Sequence, residues 1–417
     1  MSILIKNVLL DNKVTNIFIE GNVIRSIGTK EKADIVIEGK NKAAFPGFIN
    51  THTHAAMTLF RSYADDLGLY DWLQNHIWPV EGKMTEDDVY WGTKLACLEM
   101  IKSGTTCFND NYWHALGVAR AASDMGLRAV VCEVFIDVPD SGKIEELKKK
   151  HLQIIREIKG MNNPRIIPAL APHAPYTVSP ESLMWVKEQA DKEDVLINIH
   201  LGETEKEGKD YMKRYGRSPV PFFEKIGFLG ERVIAAHGIW FNHKDIDILA
   251  KHKVKISHNP ISNMKLASGV LKYKDLMRAG ITVSLGTDGT ASNNNLDMFD
   301  SMKFAALLQK VHNLDPTIAP ASEIFEMATK KGAETLGINA GAIREGMLAD
   351  IQLINLKKPE LTPNNNLTSN LVYSAKGSCV DTLICDGKIL MQNRVVKGEE
   401  EIIEKASDTA KDLFSRK

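Results

Sequence analysis

Eight short apolar segments alternate with amphipathic helical patterns through the middle of this chain of 417 residues. They are predicted as strands at residues 44–54, 105–110, 128–138, 165–173, 195–203, 233–238, 255–259 and 282–288. Regular alternation of strands and helices is typical of a parallel sheet, and eight such units over about 300 residues favour a (β/α)8 TIM barrel, an α/β fold. An open, doubly wound sheet is the alternative, but neither G-x-G-x-x-G nor G-x-x-x-x-G-K-S/T occurs in the sequence.

Both ends of the chain differ from this middle part. Residues 1–45 contain short alternating segments such as ILIKNVLL and ADIVIEG, separated by Gly and Asn. Residues 344–417 contain ADIQLINL and DTLICDGKIL and close with a charged helical pattern from residue 401 to residue 417. Neither part alone buries a face. We therefore expect a small β-sandwich domain built from both termini, with the barrel spanning residues 46–343 between them.

Composition and charge exclude several classes of protein. The formal net charge is −1, so no overall field attracts nucleic acid or an anionic membrane. No run approaches the length of about 18 apolar residues that a membrane span needs, and the N-terminus lacks the basic and apolar regions of a signal peptide. The five cysteines are scattered without a C-x-x-C pair, which argues against disulfides or a thiolate zinc site. We expect a cytoplasmic protein that binds neither nucleic acid nor membrane.

Nearly every predicted barrel strand ends in a side chain that can ligate a metal or move a proton. In a barrel, functional groups gather at the C-terminal ends of the strands. One histidine in such a place is more often a core or capping residue, but repetition of the same position around a ring indicates a site. The residues concerned are His52 and His54, Asn109 and Asp110, His173, His200 and Glu203, His237, His258, and Asp288.

The first predicted strand ends in H-x-H. Side chains two apart on a strand share a face, so His52 and His54 can bind one ion together, and Thr51 and Thr53 are expected to pack against helices on the other face. Neutral imidazoles with one carboxylate suit Zn²⁺ or Fe²⁺ better than Mg²⁺. The fourth strand has no lysine near its end to bridge two metals. We expect one divalent metal per subunit, Zn²⁺ before Fe²⁺, with His200 and Asp288 as further ligands.

Seven sequence segments, taken in order, resemble signatures of the amidohydrolase superfamily. They are AFPGFINTHTHAAMTLFRSYADDLGLYDWLQNHIWPVE, APHAPYTVS, IHLGETEKE, AAHGIW, SHNPISNMKLASG, SLGTDGTASNNNLDMF and EGMLADIQLINL. Over nearly its full length the chain resembles the 5'-methylthioadenosine/S-adenosylhomocysteine deaminase family, which is related to chlorohydrolases and guanine deaminases. The resemblance implies a homo-oligomeric enzyme that deaminates the adenine C6 of small purine nucleosides. The implied substrates are 5'-methylthioadenosine, S-adenosylhomocysteine, 5'-deoxyadenosine and adenosine, each giving its inosine analogue and ammonia.

The resemblance also implies roles for individual residues. His52, His54, His200 and Asp288 are implied as the ligands of one metal. Glu203 is implied as the proton shuttle to the purine ring, His237 as an acid/base beside the attacking water, and Asp288 as the group that takes the proton of that water. The implied substrate contacts are Glu81 and His173 at the ribose, Trp72 in a lid over the nucleoside, and Glu203 and Asp288 at the ring. Trp78 is either part of this lid or a core residue.

One feature departs from the family pattern. Many members carry an arginine just after the third strand, suited to the carboxylate of S-adenosylhomocysteine. Here that region offers Glu133 and Asp137, while Arg128 stands at the start of the strand, where it is expected to point away from the barrel mouth. This favours substrates without a carboxylate. The roles of Asp110, Glu133 and His258 stay open, with a structural role preferred for His258.

Two other functions remain as alternatives. A related enzyme would act on guanine, a pterin or a chloro- or amino-triazine; Glu81 and His173, as ribose contacts, argue for a nucleoside instead. A non-catalytic barrel scaffold would be expected to have lost a metal ligand, whereas all four are present in this chain.

Overall fold

The computed structural model of the protein describes residues 1–138 and 142–416. Its strands are β1 (Ser2–Leu10), β2 (Lys13–Glu20), β3 (Val23–Ile27), β4 (Ile35–Glu38), β5 (Lys42–Pro46), β6 (Phe48–Thr53), β7 (Thr105–Tyr112), β8 (Arg128–Phe135), β9 (Ile166–Pro172), β10 (Leu196–Leu201), β11 (Val233–His237), β12 (Lys255–His258), β13 (Val283–Leu285), β14 (Ile351–Asn355), β15 (Val380–Cys385) and β16 (Lys388–Met391).

The α-helices are α1 (Leu69–Asp71), α2 (Trp78–Glu81), α3 (Glu86–Lys102), α4 (Ala115–Met125), α5 (Ile144–Gly160), α6 (Pro180–Glu193), α7 (Glu205–Tyr215), α8 (Pro219–Lys225), α9 (His243–Lys251), α10 (Pro260–Lys265), α11 (Tyr273–Arg278), α12 (Thr290–Asn293), α13 (Met298–Asn313), α14 (Ala321–Met327), α15 (Lys330–Leu336), α16 (Leu367–Tyr373) and α17 (Glu399–Ser415). A π-helix spans Trp72–Ile77, and short 3-10 helices span Ala55–Phe60, Pro359–Leu361 and Gly377–Cys379. No helix in the described part of the chain is long and apolar enough to cross a membrane.

Strands β6 to β13 form a parallel sheet in which each strand pairs with its neighbours in the sequence. The ring closes between its ends, because the N–H of Asp288, just after β13, donates to the carbonyl of His52 on β6 at 3.0 Å. Helices cover the outside of this ring, which buries the strands on both faces. The predicted (β/α)8 barrel is confirmed.

The predicted first strand, residues 44–54, is wrong in its extent, because it consists of two strands. Strand β5 ends at Pro46 and pairs with β14 outside the barrel, whereas β6 begins at Phe48 and pairs with β7. Between them Gly47 lies so close to Thr106 that a Cβ on the glycine would meet its side chain at 2.3 Å. An apolar run crosses this break without interruption, so the sequence pattern alone does not reveal it.

The chain termini contribute to one mixed sheet. Its strand order is β16-β15-β14-β5-β1-β2-β3, with β4 on β1, and it has its own buried core. The C-terminal helix, α17, begins at Glu399 rather than at residue 401, and Lys417 lies outside the described residues. Its last turn contacts the barrel side, where Phe414 stacks on Tyr63. The division of the chain into 1–45, 46–343 and 344–417 stays a prediction.

Helix α15 and a polar layer fill the barrel beneath its mouth. Ala333 and Leu336 of α15 pack among the lower strands, and Gly332 approaches so closely that a Cβ there would lie 2.8 Å from the Cβ of Ile49. Above this plug, the amide of Asn109 donates to Asn198 across the barrel at 2.6 Å. The upper end of the barrel is therefore a polar floor on which a site can be built.

A bulge in β6 directs Thr51 toward this polar layer. The pairing of β6 with β7 shifts register between Asn50 and Thr53, so β6 carries one extra residue there. Thr51 shares hydrogen bonds with the hydroxyls of Ser257 at 2.7 Å and Ser284 at 2.9 Å, and Thr53 donates to a main-chain carbonyl just after β13. The prediction that both threonines contact helices is therefore wrong, because the extra residue changes which side chains face inward.

Arg128 joins the bottom of the barrel to the terminal sheet. Its guanidinium contacts Asp350 at 3.4 Å and Asp386 at 2.9 Å, and Arg165 contacts Asp386 at 3.6 Å. These side chains are at least nine-tenths buried, so their two positive and two negative charges compensate each other away from water. Arg128 thus points away from the barrel mouth, as predicted.

We expect Arg128→Met to lower the free energy of unfolding by about 3–5 kcal/mol, because it leaves two buried carboxylates with one cation. Urea denaturation followed by circular dichroism measures this loss. Arg120→Met is the matched control: its ion pair with Glu86 is about half exposed and should cost less than about 1 kcal/mol. Equal losses in the two variants would contradict the prediction.

Candidate metal centre and catalytic pocket

Four of the predicted site residues converge at the barrel mouth. His52 and His54 lie at the end of β6, His200 lies near the end of β10, and Asp288 follows β13. Asp288 Oδ1 lies 3.4 Å from His52 Nε2 and 3.2 Å from His54 Nε2, and His54 Nε2 lies 3.4 Å from His200 Nε2. The ligand atoms of His52, His54 and His200 lie within 4.8 Å of one another, and so do those of His52, His237 and Asp288, so the two groups of donors overlap at His52.

Main-chain carbonyls fix the tautomers of two of these histidines. His54 Nδ1 lies 2.5 Å from the carbonyl oxygen of Asn111, and His200 Nδ1 lies 2.7 Å from that of His173. Because a carbonyl only accepts hydrogen bonds, each Nδ1 carries a hydrogen, and in the neutral ring each Nε2 then presents a lone pair. Two lone pairs 3.4 Å apart cannot hydrogen-bond to each other, but they can both bind a cation.

Asp288 is oriented by two serines. Its Oδ2 accepts hydrogen bonds from Ser262 at 2.6 Å and Ser292 at 2.8 Å, while its backbone adopts a left-handed φ of 64°. The other oxygen, Oδ1, and His52 Nε2 are buried without a hydrogen-bond partner among the described residues. Such unpaired buried atoms are costly unless an ion satisfies them. The donor set therefore fits a divalent metal.

His237 and Glu203 lie beside this centre. His237 Nδ1 lies 2.8 Å from Asn263 Oδ1, so it donates to that amide oxygen and leaves Nε2 as an acceptor. Nε2 is 3.8 Å from Glu203 Oε1, and burial raises the pKa of Glu203. The backbone of His237 has a left-handed φ of 73°, a strained conformation that is concentrated at functional sites.

A cavity lined by aromatic, apolar and acidic side chains opens above the metal centre. Its wall includes a segment of α1, the π-helix and α2, from which Trp72 and Trp78 face the cavity. π-Helices are rare and occur mostly at functional sites. Trp72 is almost fully buried, and Trp78 is half-buried and lines the cavity rather than only a core. Their role as a lid stays a prediction.

Glu81 and His173 lie in the wall of the same cavity. Glu81 accepts a hydrogen bond from the hydroxyl of Tyr112 at 2.6 Å, and burial raises its pKa. His173 Nδ1 lies 2.9 Å from the hydroxyl of Thr177, and burial lowers the pKa of His173 to about 3, so that it is neutral. Both side chains retain polar atoms facing the cavity, where a hydroxyl-rich ligand can bind.

The residues whose roles were left open have structural contacts. Asp110 accepts the N–H of Ala55 at 2.6 Å, just after the H-x-H pair, and burial raises the pKa of Asp110 to about 7. Glu133 binds Lys150 at 2.6 Å and accepts the N–H that begins α4. His258 is buried and does not line the cavity. Asp110 and His258 therefore do not line the cavity, whereas Glu133 lines an adjoining pocket.

Sequence reasoning missed Asn111, Ser262, Ser292 and Asn263. Asn111 acts through its backbone, which leaves no signal in the sequence. The other three lie in segments that resemble family signatures. Hydroxyl and amide side chains are common in loops, so the sequence alone assigns them no role until the residues packed around them are known.

A parallel barrel with three imidazoles and a carboxylate at the carboxyl ends of its strands is the scaffold of a metal-dependent hydrolase. The chain belongs to the amidohydrolase family, whose sequence model matches residues 43–390.

Relatives of known identity are similar over nearly the whole chain. The chain is 49% identical to 5-methylthioadenosine/S-adenosylhomocysteine deaminase 1 of Archaeoglobus fulgidus, and the match covers 95% of each chain. It is also 49% identical to 5'-deoxyadenosine deaminase of Methanocaldococcus jannaschii, over 97% of this chain and 98% of the relative. Among solved structures, a zinc-bound adenosine deaminase from Xanthomonas campestris superimposes with a TM-score of 0.94, at 32% identity and 99% coverage of both chains.

Proposed function

We propose that this enzyme hydrolytically deaminates the adenine ring of 5'-modified adenosines, producing the inosine analogue and ammonia. The observation that carries this proposal is the placement of Glu203 and His237 beside the four convergent donors, in one cavity with Glu81 and His173. The names of the relatives support this substrate class. The retained donor set argues against a non-catalytic scaffold.

We assign His52, His54, His200 and Asp288 as ligands of one divalent ion, with Zn²⁺ proposed before Fe²⁺. Imidazole-rich sites suit both ions, and the similar adenosine deaminase from Xanthomonas campestris was solved with zinc. An ion held there lowers the pKa of a bound water toward neutrality, so that a nucleophile is present at physiological pH.

The protein groups divide the proton transfers between them. Asp288 Oδ1 takes a proton from the attacking water. His237 Nε2, being an acceptor, holds the remaining O–H so that the oxygen faces C6 of the purine. Glu203 protonates the adjacent ring nitrogen, and burial raises its pKa, which favours the protonated form that this step needs. Asp288 then delivers its proton to the amino group, which leaves as ammonia. As the C6 carbonyl forms, the remaining hydroxyl proton passes by way of His237 Nε2 to Glu203 and restores its acid form.

A second chamber adjoins the cavity and leaves room for a 5' substituent. It shares Trp78, Glu81, Trp113 and Ile136 with the first cavity. With Glu81 and His173 at the ribose and Trp72 over the nucleoside, the 5' carbon would be directed toward this chamber. The chamber wall carries the ion pair of Glu133 and Lys150.

We expect kcat/KM to be at least about tenfold higher for 5'-methylthioadenosine or 5'-deoxyadenosine than for S-adenosylhomocysteine. No arginine lines either cavity in the described part of the chain, and Lys150, the one lysine there, is already bound by Glu133. A substrate carboxylate would have to compete with Glu133 for it. Ammonia release from metal-replete enzyme measures this order, and a preference for S-adenosylhomocysteine would reverse it.

The same assay tests the proposed function itself. Its panel includes adenosine as a further nucleoside, and guanine and a chlorotriazine as controls. We expect turnover of the nucleosides only. Activity confined to guanine or the triazine would replace the proposal with the related amidohydrolase reactions.

We also propose that the enzyme is a cytoplasmic homo-oligomer. The family resemblance supports the oligomer, and the five buried, free cysteines suit a reducing compartment. Size-exclusion chromatography with light scattering measures the oligomeric state.

A further inference from the structure

Glu207 lies near the beginning of α7, four residues after Glu203. Its side chain is 3% exposed. Oε1 accepts the backbone N–H of Gly202, the residue before Glu203, at 2.8 Å. Its other oxygen, Oε2, has no hydrogen-bond partner among the described residues. This buried carboxyl is therefore attached to the main chain that carries Glu203.

This bond differs from ordinary capping of a helix. In a capping box, the acid at the third helical position bonds back to the N-cap backbone, as Asp245 does with Asn242 at the start of α9. In α7 the N-cap is Thr204, whose hydroxyl already accepts the N–H of Glu207 at 3.3 Å. Glu207 instead bonds to Gly202, two residues before the N-cap. Its bond holds the turn ahead of the helix rather than the helix end.

The turn that Glu207 holds determines where Glu203 lies. Strand β10 ends at Leu201, and Gly202 then adopts a left-handed φ of 68° in close contact with Phe241, which a Cβ would approach to 2.6 Å. Glu203 is the first residue after this turn, and its Oε1 lies 3.8 Å from His237 Nε2. A small rotation of the Gly202 and Glu203 peptides would move the carboxyl of Glu203 away from that position.

We propose that Glu207 is a positioning residue for the proton shuttle: by accepting the N–H of Gly202, it holds the turn that places the Glu203 carboxyl beside His237. The inference rests on the proposed function for the role of Glu203, but the geometry it describes does not depend on which substrate is used. Loss of the acceptor leaves the N–H of Gly202 unpaired in a buried turn, and displacement of a catalytic group by about 1 Å can cost a factor of about 100 in rate.

Glutamine should replace Glu207 well. Burial raises the pKa of Glu207 to about 8, so the group is mostly a neutral acid at pH 7, and an amide has the same shape and the same carbonyl acceptor. We expect Glu207→Gln to keep kcat within about threefold of the wild type and Glu207→Ala to lower kcat by about 10- to 100-fold with metal content unchanged.

Asp245→Ala is the matched control, because it removes a buried acid from the third position of α9 without touching the site. It should lose about 1 kcal/mol of stability and keep its kcat. If Glu207→Ala does not fold, Glu207→Asp keeps the acid while withdrawing its oxygens by about 1.5 Å, and the same loss of kcat is expected. If Asp245→Ala lowers kcat as much as Glu207→Ala does, the proposal is overturned.

Two further measurements separate this inference from the proposed function. In crystal structures, the contact between Glu203 and His237 should persist in Glu207→Gln and be lost in Glu207→Ala, whatever the enzyme acts on. An unchanged contact in Glu207→Ala would overturn the inference even if deamination is established. In an active enzyme, adding Glu207→Ala to Glu203→Gln should cause no further loss of rate, since Glu207 acts through Glu203; an additive loss would also count against it.

Discussion

Glu203→Gln is expected to lower kcat for deamination by a factor of about 10³, within the range attributed to a positioned general acid. The glutamine side chain keeps the shape and polarity of Glu203 but has no acidic proton for the purine ring. Glu203 is not one of the four convergent donors, and its carboxyl is buried 3.8 Å from His237 Nε2. The metal content should therefore equal that of the wild type, and steady-state ammonia release with elemental analysis of the same sample measures both quantities.

The pattern of kinetic constants distinguishes a proton-transfer role from a binding role. Loss of a transition-state interaction lowers kcat and kcat/KM together, whereas loss of a uniform binding contact raises KM alone. Glu81→Gln is the matched control, because Glu81 lies on the cavity wall among the proposed ribose contacts and should affect mainly KM. Near-normal kcat in Glu203→Gln would remove this residue from the mechanism.

The sequence predicts that these side chains converge where polar residues coincide with strand ends. His200 and Glu203 follow an apolar segment, and Asp288 follows another, so a barrel brings them to the same end. Parallel strands all end on one side of the ring, so position in the chain is enough to predict this convergence. The assignment of the four residues as metal ligands stays a prediction.

The parts that the sequence did not predict depend on tertiary neighbours. The break between β5 and β6 lies inside one apolar run, and only the pairing with β14 shows that its first half belongs to another sheet. The inward turn of Thr51 depends on one extra residue in β6. A strict alternation of faces, applied to the sequence, fails wherever such a bulge occurs.

The supporting contacts were the least predictable. The carbonyl groups that set the tautomers of His54 and His200 belong to the backbone, so no side-chain type marks them. In the sequence, Glu207 resembles any acidic residue in the first turn of a helix. A favourable interaction with the helix dipole is enough to explain an acid at that position. Its bond to the preceding turn is visible only when the backbone is known.

Asp288→Asn is expected to reduce both metal content and activity, with kcat at least about 10³-fold lower in any metal-bound fraction. Asp288 has two tasks. Its Oδ1 faces the Nε2 atoms of His52 and His54, where a charged oxygen binds a cation, and the same carboxylate accepts the water proton in the proposed reaction. A neutral amide does both poorly, and an NH₂ group turned toward the imidazoles would donate to their lone pairs in place of a metal.

Ser262→Ala and Ser292→Ala provide the comparison, because each removes one hydroxyl that donates to Asp288 Oδ2 while keeping the carboxylate. Each should weaken metal binding by about 10- to 100-fold, the usual effect of removing a partner of a metal ligand, and added Zn²⁺ should restore activity to these variants. Added Zn²⁺ should not restore Asp288→Asn, because that variant also lacks the proton acceptor. Full metal content together with full activity in Asp288→Asn would contradict both assignments, whereas metal-replete but inactive enzyme would leave proton transfer as the main task of Asp288.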